Sequence, residues 1–186
     1  VGPGIGIDID DWEKSKDYLI GFKGLLILDA DALNRISESK IGSKFFLERK
    51  FKTWITPHSR EFRRLFPHIK AQTNIGLVLE AAKEFNISIL LKGANSIIAD
   101  KQKVWQLFGT DPQTARAGLG DLLSGFLAGS SAIDLTLNQN ITTEFFAKYV
   151  LLHSFAASNC KKGSNASLIG DELSKIMRKK KMRQIS

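Results

Sequence analysis

The segment Leu25-Leu26-Ile27-Leu28-Asp29-Ala30-Asp31-Ala32-Leu33-Asn34 is the most informative about the fold, because an apolar run is followed directly by acidic residues. A short, continuous apolar run is typical of a strand buried on both faces of a parallel sheet. Two further runs have this character, Thr53-Trp54-Ile55-Thr56 and Ile87-Ser88-Ile89-Leu90-Leu91. The three runs therefore predict three central strands.

Helical periodicity fills most of the remaining chain. Helices are predicted at Asp10 to Ile20, Thr73 to Phe85, Leu119 to Ala132, Glu144 to Cys160 and Asp171 to Lys180. One more helix is predicted to begin after Ser59, which would be its N-cap. Ser96 to Ala99 and Val104 to Phe108 flank a polar turn, which predicts a hairpin. This alternation of strands and helices predicts an α/β fold with a mostly parallel sheet.

Two segments carry more specific expectations. Leu119 to Ala132 is apolar almost all round, so this helix is expected to be buried. Leu135 to Thr143 is polar and rich in Asn, so it is expected to be an exposed loop.

Composition excludes several classes of protein. Of 186 residues, 43% are hydrophobic and 25% charged, which is typical of a globular domain, and no apolar run approaches the roughly 20 residues that span a bilayer. Cys160 is the only cysteine, so the chain can form no internal disulfide. Val1-Gly2-Pro3-Gly4 does not have the pattern that begins a signal peptide. A cytoplasmic location is therefore expected, and a membrane is not an expected partner.

The net charge of +8 is concentrated at one end of the chain. Residues 175 to 186 form a basic tail with six cations: Lys175, Arg178, Lys179, Lys180, Lys181 and Arg183. A nucleic-acid surface usually spreads its cations over a folded face with interleaved aromatic residues, and this run contains none. We interpret the tail as a solvated helix end, and nucleic acid is not an expected partner.

Candidate site residues follow the predicted strands, where open parallel sheets bind ligands. The most informative are Gly118-Leu119-Gly120-Asp121, at the start of the apolar helix. Two glycines before a helix expose backbone N–H groups, and the helix dipole adds positive charge, which together suit a phosphoryl group in transfer. Asp121 would repel that group unless it takes a proton from an attacking hydroxyl.

Each candidate also has a purely structural interpretation. Asp121 could cap its helix while the glycines pack closely, since a lone Gly-x-Gly-Asp is a weak signal. His58 could be a core histidine, although its place after a strand favours ligand contact. Asp31 is expected to cap the following helix, and Lys92-Gly93 could be an ordinary strand end or allow close approach of a nucleotide.

Several ordered motifs together resemble the nucleotide-dependent NAD(P)H-hydrate dehydratase family. They are Gly2-Pro3-Gly4-Ile5-Gly6, Asp29 to Asn34, Thr56-Pro57-His58 with Glu61-Phe62, Leu91-Lys92-Gly93-Ala94, Asp111-Pro112, Gly118 to Gly125 and Leu152-His153. The resemblance covers nearly the whole chain. It implies a ribokinase-like, three-layer α/β/α fold in one domain of residues 1–186, with the N-terminal part of that fold outside this chain.

The resemblance also implies a reaction and its residues. The substrate would be the C6 hydrate of NADH or NADPH, whose hydroxyl Asp121 deprotonates as it attacks ADP or ATP. Gly6, His58 and Asp121 would contact the hydrate, and Mg²⁺ would bridge the phosphates of the nucleotide. The nucleotide itself would be held by Lys92, Gly93, Ala94, Asn95, Ser96, Gly118 and Gly120.

The resemblance leaves partners and competing functions open. It implies a homo-oligomer, often a tetramer, and a fused or separate hydrate epimerase. One alternative is a small-molecule kinase of the hydroxymethylpyrimidine or hydroxyethylthiazole type, which shares the Gly-x-Gly-Asp logic. Another is a catalytically degenerate nucleotide-binding domain. Departures from the family motifs include Leu119 in place of Thr, Ser59-Arg60 in place of Pro-Gly, and Arg116.

Overall fold

The structure is a computed structural model that describes residues 1–6, 8–108, 117–137, 140–161 and 163–182. The chain divides into two compact units, Val1–Phe108 and Gly109–Ser186. The first unit contains the sheet with its helices, and the described part of the second unit is helical.

The sheet of the first unit has five strands in the order β1-β2-β3-β4-β5. Their bounds are β1 Leu26–Leu28, β2 Thr53–Ile55, β3 Ser88–Leu91, β4 Ile97–Ala99 and β5 Val104–Gln106. The first three strands are parallel, and β4 and β5 continue the sheet in antiparallel pairs. The three predicted central strands and the hairpin are thus confirmed, and β1, β2 and β3 are buried throughout.

Five helices belong to the first unit: α1 Ile9–Gly21, α2 Asp31–Glu38, α3 Lys44–Glu48, α4 Ser59–Leu65 and α5 Asn74–Phe85. Alternate residues of the strands, such as Leu28, Ile55 and Ile89, share one hydrophobic core with these helices. Phe46, Phe66 and other aromatic side chains fill that core. The five-residue α3 was not predicted, because one turn and a half is too short to show helical periodicity.

Two predicted helix caps were wrong. His58, not Ser59, is the N-cap of α4, and its side chain accepts from the backbone N–H groups of Arg60 and Glu61. Asp31 does not cap α2: it is the first helical residue, after an Ala30 N-cap that makes no side-chain hydrogen bond. Ala30 has φ of 47°, a conformation that L residues rarely adopt, so the chain turns sharply between β1 and α2.

A buried arginine fastens the opposite end of the sheet, where the strands begin. Arg49 is 6% exposed and donates from Nε to the Thr53 hydroxyl at 2.9 Å. Its Nη atoms donate to the carbonyl oxygens of Leu19, Phe22 and Gly24, at 2.6, 2.6 and 2.5 Å. One side chain thereby satisfies carbonyls at the end of α1 and before β1, and ties them to β2.

The second unit contains α6 Leu119–Leu137, α7 Thr143–Asn159 and α8 Ala166–Met182. Its core includes Ala156, Ala157, Ile169 and Leu173. The predicted α8 start at Asp171 was five residues late. The predicted loop at Leu135 to Thr143 was also partly wrong, because α6 continues to Leu137 and Ile141 is 1% exposed.

Burial of α6 differs from the expectation of a helix buried all round. Its buried residues, Leu123, Leu127, Ser130 and Ser131, recur at helical spacing along one face. Gly125, Ala128, Gly129 and Ala132 are exposed. Ile133, Leu135 and Leu137 are exposed as well, by 60%, 40% and 74%, so the apolar composition of α6 did not predict its burial. Among the described residues, no helix is long and apolar enough to cross a membrane.

Candidate functional site

The carboxyl ends of β1, β2 and β3 bring the predicted residues of the first unit together. The Lys92 ammonium lies 2.7 Å from Asp29 Oδ1, which joins two residues 63 positions apart in sequence. Lys92 N also donates to Pro57 O at 2.8 Å, and His58 and Lys92 form an isolated parallel bridge. The three strand ends are therefore tied by both main-chain and side-chain contacts.

The Asp29–Lys92 pair combines a buried acid with a partly accessible base. The Asp29 side chain is 2% exposed and that of Lys92 is 26% exposed. Asp29 Oδ1 also accepts from Ala30 N at 2.9 Å, which helps to hold the turn into α2. A buried carboxylate needs such partners, because its charge is costly in a low-dielectric interior. Lys92 thus neutralises Asp29, and the Lys92 side chain stays partly accessible.

His58 is not a core residue, but it has a structural role as a helix cap. Its side chain is 48% exposed, and Nδ1 accepts from Arg60 N at 3.1 Å and Glu61 N at 3.3 Å. Glu61 returns the contact, since His58 N donates to its Oε2 at 2.8 Å, which completes a capping box. Acceptance at Nδ1 places the ring proton on Nε2, which lies 3.5 Å from Glu61 Oε1.

The segment from Lys92 to Ser96 forms a short, accessible loop before β4. Gly93, Ala94 and Asn95 are exposed. Ser96 Oγ donates to Gly93 O at 3.1 Å and accepts from Gly93 N at 3.4 Å, so the loop closes on itself. A Cβ built on Gly93 would meet no atom within 4 Å, which leaves room for a ligand beside the backbone.

The glycine-rich turn at the start of the chain is held against β1 and α2. Gly2 has φ of 142°, and a Cβ there would lie 1.8 Å from Asp29 O. Gly6 has φ of 74°, and its N–H donates to Asp31 Oδ2 at 3.0 Å. Arg35, 6% exposed, donates from Nε to Gly6 O at 2.7 Å and from Nη2 to Ile5 O at 2.5 Å.

The residues of α2 that hold this turn were missed by sequence reasoning. Asp31 was assigned to a helix cap, and Arg35 was not singled out. Their spacing of four residues does place both side chains on one helix face, but it does not say what that face contacts. The target, Gly6, lies 25 residues from Asp31 and 29 from Arg35.

In the second unit, Gly118 and Asp121 occupy the start of α6. Gly118 has φ of 79° and its carbonyl accepts from Leu122 N at 2.9 Å, so it precedes the first helical residue. A Cβ on Gly118 would approach the Ala166 Cβ to 3.4 Å. Asp121 is exposed in the first turn, where the helix dipole favours a carboxylate.

His153 on α7 supports this helix start. It is buried, and its ring makes a hydrogen bond with the backbone of Leu119. Burial lowers the pKa of His153 to about 4, and the Leu119 bond opposes that shift. Its Nε2 is buried without a hydrogen-bond partner among the described residues. A neutral imidazole therefore connects α7 to the first residue of α6.

The structure thus places the predicted residues in two groups. Gly6, His58 and Lys92 to Ser96 belong to the first unit, and Gly118, Gly120 and Asp121 to the second. That the two groups bind one ligand stays a prediction. Asp111, Pro112 and Arg116 lie outside the described residues. Within the described ranges, no group of three or more His, Cys, Asp or Glu side chains could hold a metal ion.

Comparisons with known proteins agree with the motifs. A family model described as NAD(P)H-hydrate dehydratase matches residues 1–179. The bifunctional NAD(P)H-hydrate repair enzymes Nnr of Synechocystis sp. and Gloeobacter violaceus are 35% and 40% identical over 130 and 132 residues. These matches cover 69% and 68% of this chain but 24% of each relative, so the chain spans about a quarter of their length.

Solved structures show the same fold. A ribokinase-like superfamily protein of Enterococcus faecalis V583 matches 96% of this chain and 62% of its own, with 26% identity and a TM-score of 0.78. The ADP/ATP-dependent NAD(P)H-hydrate dehydratase of Bacillus subtilis, crystallised with ATP and Mg²⁺, has 22% identity and a TM-score of 0.73, and the match covers 96% of this chain and 63% of that one. The predicted ribokinase-like α/β fold is thereby confirmed. Since the family model spans nearly all of the sequence, the chain belongs to the NAD(P)H-hydrate dehydratase family.

Proposed function

We propose that this protein uses a nucleotide to dehydrate the C6 hydrate of NADH or NADPH, with Asp121 as the catalytic base. The observation that carries the proposal is the exposed Asp121 carboxylate in the first turn of α6, directly after Gly118 with its φ of 79°. A base at this position can take the proton of a hydroxyl that attacks a phosphoryl group. The adjacent backbone N–H groups can stabilise the charge on that phosphoryl group.

The reaction has two steps. Asp121 takes the proton of the C6 hydroxyl as its oxygen attacks the terminal phosphorus of the nucleotide, and the bond from that phosphorus to the bridging oxygen breaks. ATP would leave as ADP, or ADP as AMP. The C6–O bond of the phosphorylated hydrate then breaks, inorganic phosphate departs, and a proton leaves the neighbouring ring carbon to restore the double bond. Positioning and electrostatics supply most of the catalysis in such a transfer.

The start of α6 suits the charge that develops on the phosphoryl group. Unpaired N–H groups of the first helical turn and the helix dipole attract an anion. Gly118 adopts a conformation that favours glycine, and Gly120 lacks a side chain that would cover the helix end. Asp121 alone would repel the phosphate, which is consistent with a base and not with a simple anion-binding role.

The first unit would supply the remaining contacts. The open loop of Gly93, Ala94, Asn95 and Ser96 would hold the nucleotide, beside the partly accessible side chain of Lys92. Gly6 and the half-exposed side chain of His58 would contact the hydrate. A related dehydratase of Nitrosopumilus maritimus, 41% identical over 78 residues that cover 40% of this chain and 27% of that protein, is ADP-dependent, so ADP is the first nucleotide to test.

Mg²⁺ fits this arrangement as an ion that arrives with the nucleotide. It keeps several waters and is usually bound by one or two carboxylates together with substrate phosphates. When bound, Mg²⁺ would neutralise charge on the phosphates of the nucleotide.

The decisive experiment follows the recovery of the absorbance band of reduced nicotinamide. The protein is mixed with hydrated NADH or NADPH, Mg²⁺ and either ADP or ATP. Recovery of the band, with release of one phosphate per turnover, supports the proposal. A phosphorylated product that accumulates with ATP would instead indicate a small-molecule kinase. Thermal stabilisation by nucleotide without turnover would indicate a degenerate binding domain.

Asp121→Asn tests the base directly. We expect turnover to fall by at least about a thousandfold while nucleotide-dependent thermal stabilisation persists, because the amide cannot accept the proton. Asp134→Asn is the matched control: Asp134 lies on the same helix, but its carboxylate contacts the Tyr149 hydroxyl, far from the first turn. Full activity in Asp121→Asn would refute the assigned base.

The partners implied by the resemblance also remain to be tested. A homo-oligomer, with a tetramer as the specific expectation, would appear in light scattering of the purified protein. A hydrate epimerase, fused or separate, would allow both epimers of the hydrate to be consumed.

A further inference from the structure

We infer that Arg35 is a positioning residue that sets the Gly2–Gly6 turn for contact with the hydrate, together with Asp31; this inference rests on the proposed function. Arg35 lies beyond the Asp29 to Asn34 motif, and it belongs to α2, not to any loop expected to touch a ligand. The evidence is the set of hydrogen bonds that its guanidinium donates.

Both main-chain polar groups of Gly6 are engaged by α2. Its N–H donates to Asp31 Oδ2 at 3.0 Å, and its carbonyl accepts from Arg35 Nε at 2.7 Å. Arg35 Nη2 extends the contact to Ile5 O at 2.5 Å. A carboxylate and a guanidinium one helical turn apart therefore fix two successive peptide units, and the planar guanidinium fixes their direction as well.

The burial of Arg35 makes this arrangement unusual. Arg35 is 6% exposed, although Gly4, Ile5 and Gly6 are exposed. A buried guanidinium is costly unless its donors are satisfied. The buried Arg35 guanidinium donates to the carbonyl oxygens of the exposed residues Ile5 and Gly6. A side chain that orients a binding loop would make such contacts.

The other end of the turn is held by different means. Gly2 lies so close to β1 that a Cβ would fall 1.8 Å from Asp29 O, and Ile5 N closes the turn by donating to Gly2 O at 3.3 Å. Packing against β1 thus fixes where the turn begins, whereas α2 side chains fix where it ends.

This geometry also specifies how Gly6 can meet a ligand. Its N–H is already used by Asp31, so a hydrate would pack against the Cα face of Gly6 and not accept a hydrogen bond from it. Such contact depends on position to within a fraction of an ångström, and small misplacements reduce productive binding strongly. Loss of Arg35 should therefore weaken hydrate binding more than it slows the chemical step.

The test compares Arg35→Met with Arg49→Met, the second buried arginine, which fastens the opposite end of the sheet. For Arg35→Met we expect a rise in KM for the hydrate of about tenfold, with kcat and the nucleotide KM changed less than about twofold. Amide hydrogen exchange at Gly6 should accelerate. Arg35→Lys keeps one donor and should give an intermediate KM.

Each outcome of this test is decisive. Arg49→Met should lower the melting temperature without altering the hydrate KM, and an equal rise in KM in both variants would overturn the inference. An unchanged KM in Arg35→Met would also overturn it. If the wild-type protein binds the hydrate without converting it, the proposed activity is refuted. The role of Arg35 is then tested by comparing the dissociation constant of the hydrate between the wild-type protein, Arg35→Met and Arg49→Met. A wild-type protein that neither binds nor converts the hydrate overturns both.

Discussion

The two compact units hold their candidate site residues by different physical means. In the first unit, charged side chains do this: Lys92 pairs with the buried Asp29, and Arg35 binds the turn that contains Gly6. In the second unit, Asp121 lies on a helix whose first residue is tied to α7 by a neutral, buried His153.

This contrast indicates which perturbation destabilises each unit most. A buried ion pair is sensitive to the loss of either partner, because the remaining charge keeps its desolvation cost. A buried neutral histidine is sensitive to acid, because a proton brings a charge into a low-dielectric site. Substitutions should therefore harm the first unit most, and low pH the second.

The largest expected effect is that of Lys92→Met. It leaves the Asp29 carboxylate, 2% exposed, without its ammonium, so the free energy of unfolding should fall by about 4 kcal/mol. Urea denaturation measures this loss. Adding Asp29→Asn to the Lys92→Met variant should restore part of the stability. A double mutant that is no more stable than Lys92→Met alone would contradict the pairing.

Acid should act through His153. Because folding lowers its pKa from 6.5 to about 4, the neutral ring contributes stability above pH 6.5, and this contribution is lost as the pH falls from 6.5 towards 4. The whole loss is on the order of 3 kcal/mol. It is measured as the slope of unfolding free energy against pH.

Substitution identifies the histidine that titrates. His153→Asn can still donate to the Leu119 backbone but does not titrate, so the acid slope between pH 6.5 and 4 should become shallower. The matched control is His68→Asn, since His68 is half exposed and contacts Glu84. If both variants change the slope equally, His153 is not the acid-sensitive group.

A smaller effect separates two glycines, one from each unit. Gly118→Ala should lower the free energy of unfolding by about 1 kcal/mol, because φ is 79° and the new Cβ would approach Ala166 to 3.4 Å. Gly93→Ala should change stability by less than about 0.5 kcal/mol, because its Cβ enters open space. Weaker nucleotide binding with intact stability is the expected result for Gly93→Ala, and chemical denaturation with nucleotide titration measures both.

An effect of the same size as that of Gly118→Ala is expected at His58. His58→Ala removes the acceptor that caps α4 and should lower the free energy of unfolding by about 1 kcal/mol. His58→Asn restores a capping oxygen and should recover that stability, yet lose the Nε2–H donor and raise the hydrate KM. Recovery of both properties in His58→Asn would mean that His58 serves α4 alone.

Several features could be predicted from sequence because they depend on nearby residues. The apolar runs at β1, β2 and β3 report burial on both faces, and the polar turn between β4 and β5 reports a hairpin. The glycines around residue 118 report a helix start with exposed N–H groups. In each case the determining interactions span a few residues.

The errors have the opposite origin. Asp31 follows the pattern of a helix cap, but a backbone N–H 25 residues away binds it. The apolar composition of α6 suggested burial on all sides, whereas Ile133 and Leu137 are exposed together with its small residues. Local spacing does not contain this information, because the competing partner is brought near by the fold.

The alternation of strands and helices, the order of the motifs and the family membership can be read without a structure, since they depend on periodicity and on residue types at short spacing. Tertiary structure alone decided that Lys92 neutralises Asp29, that Arg35 and Asp31 hold Gly6, and that His153 meets the start of α6. The physical reason is distance along the chain: a buried charge or imidazole takes whichever partner the packed elements bring within hydrogen-bond reach.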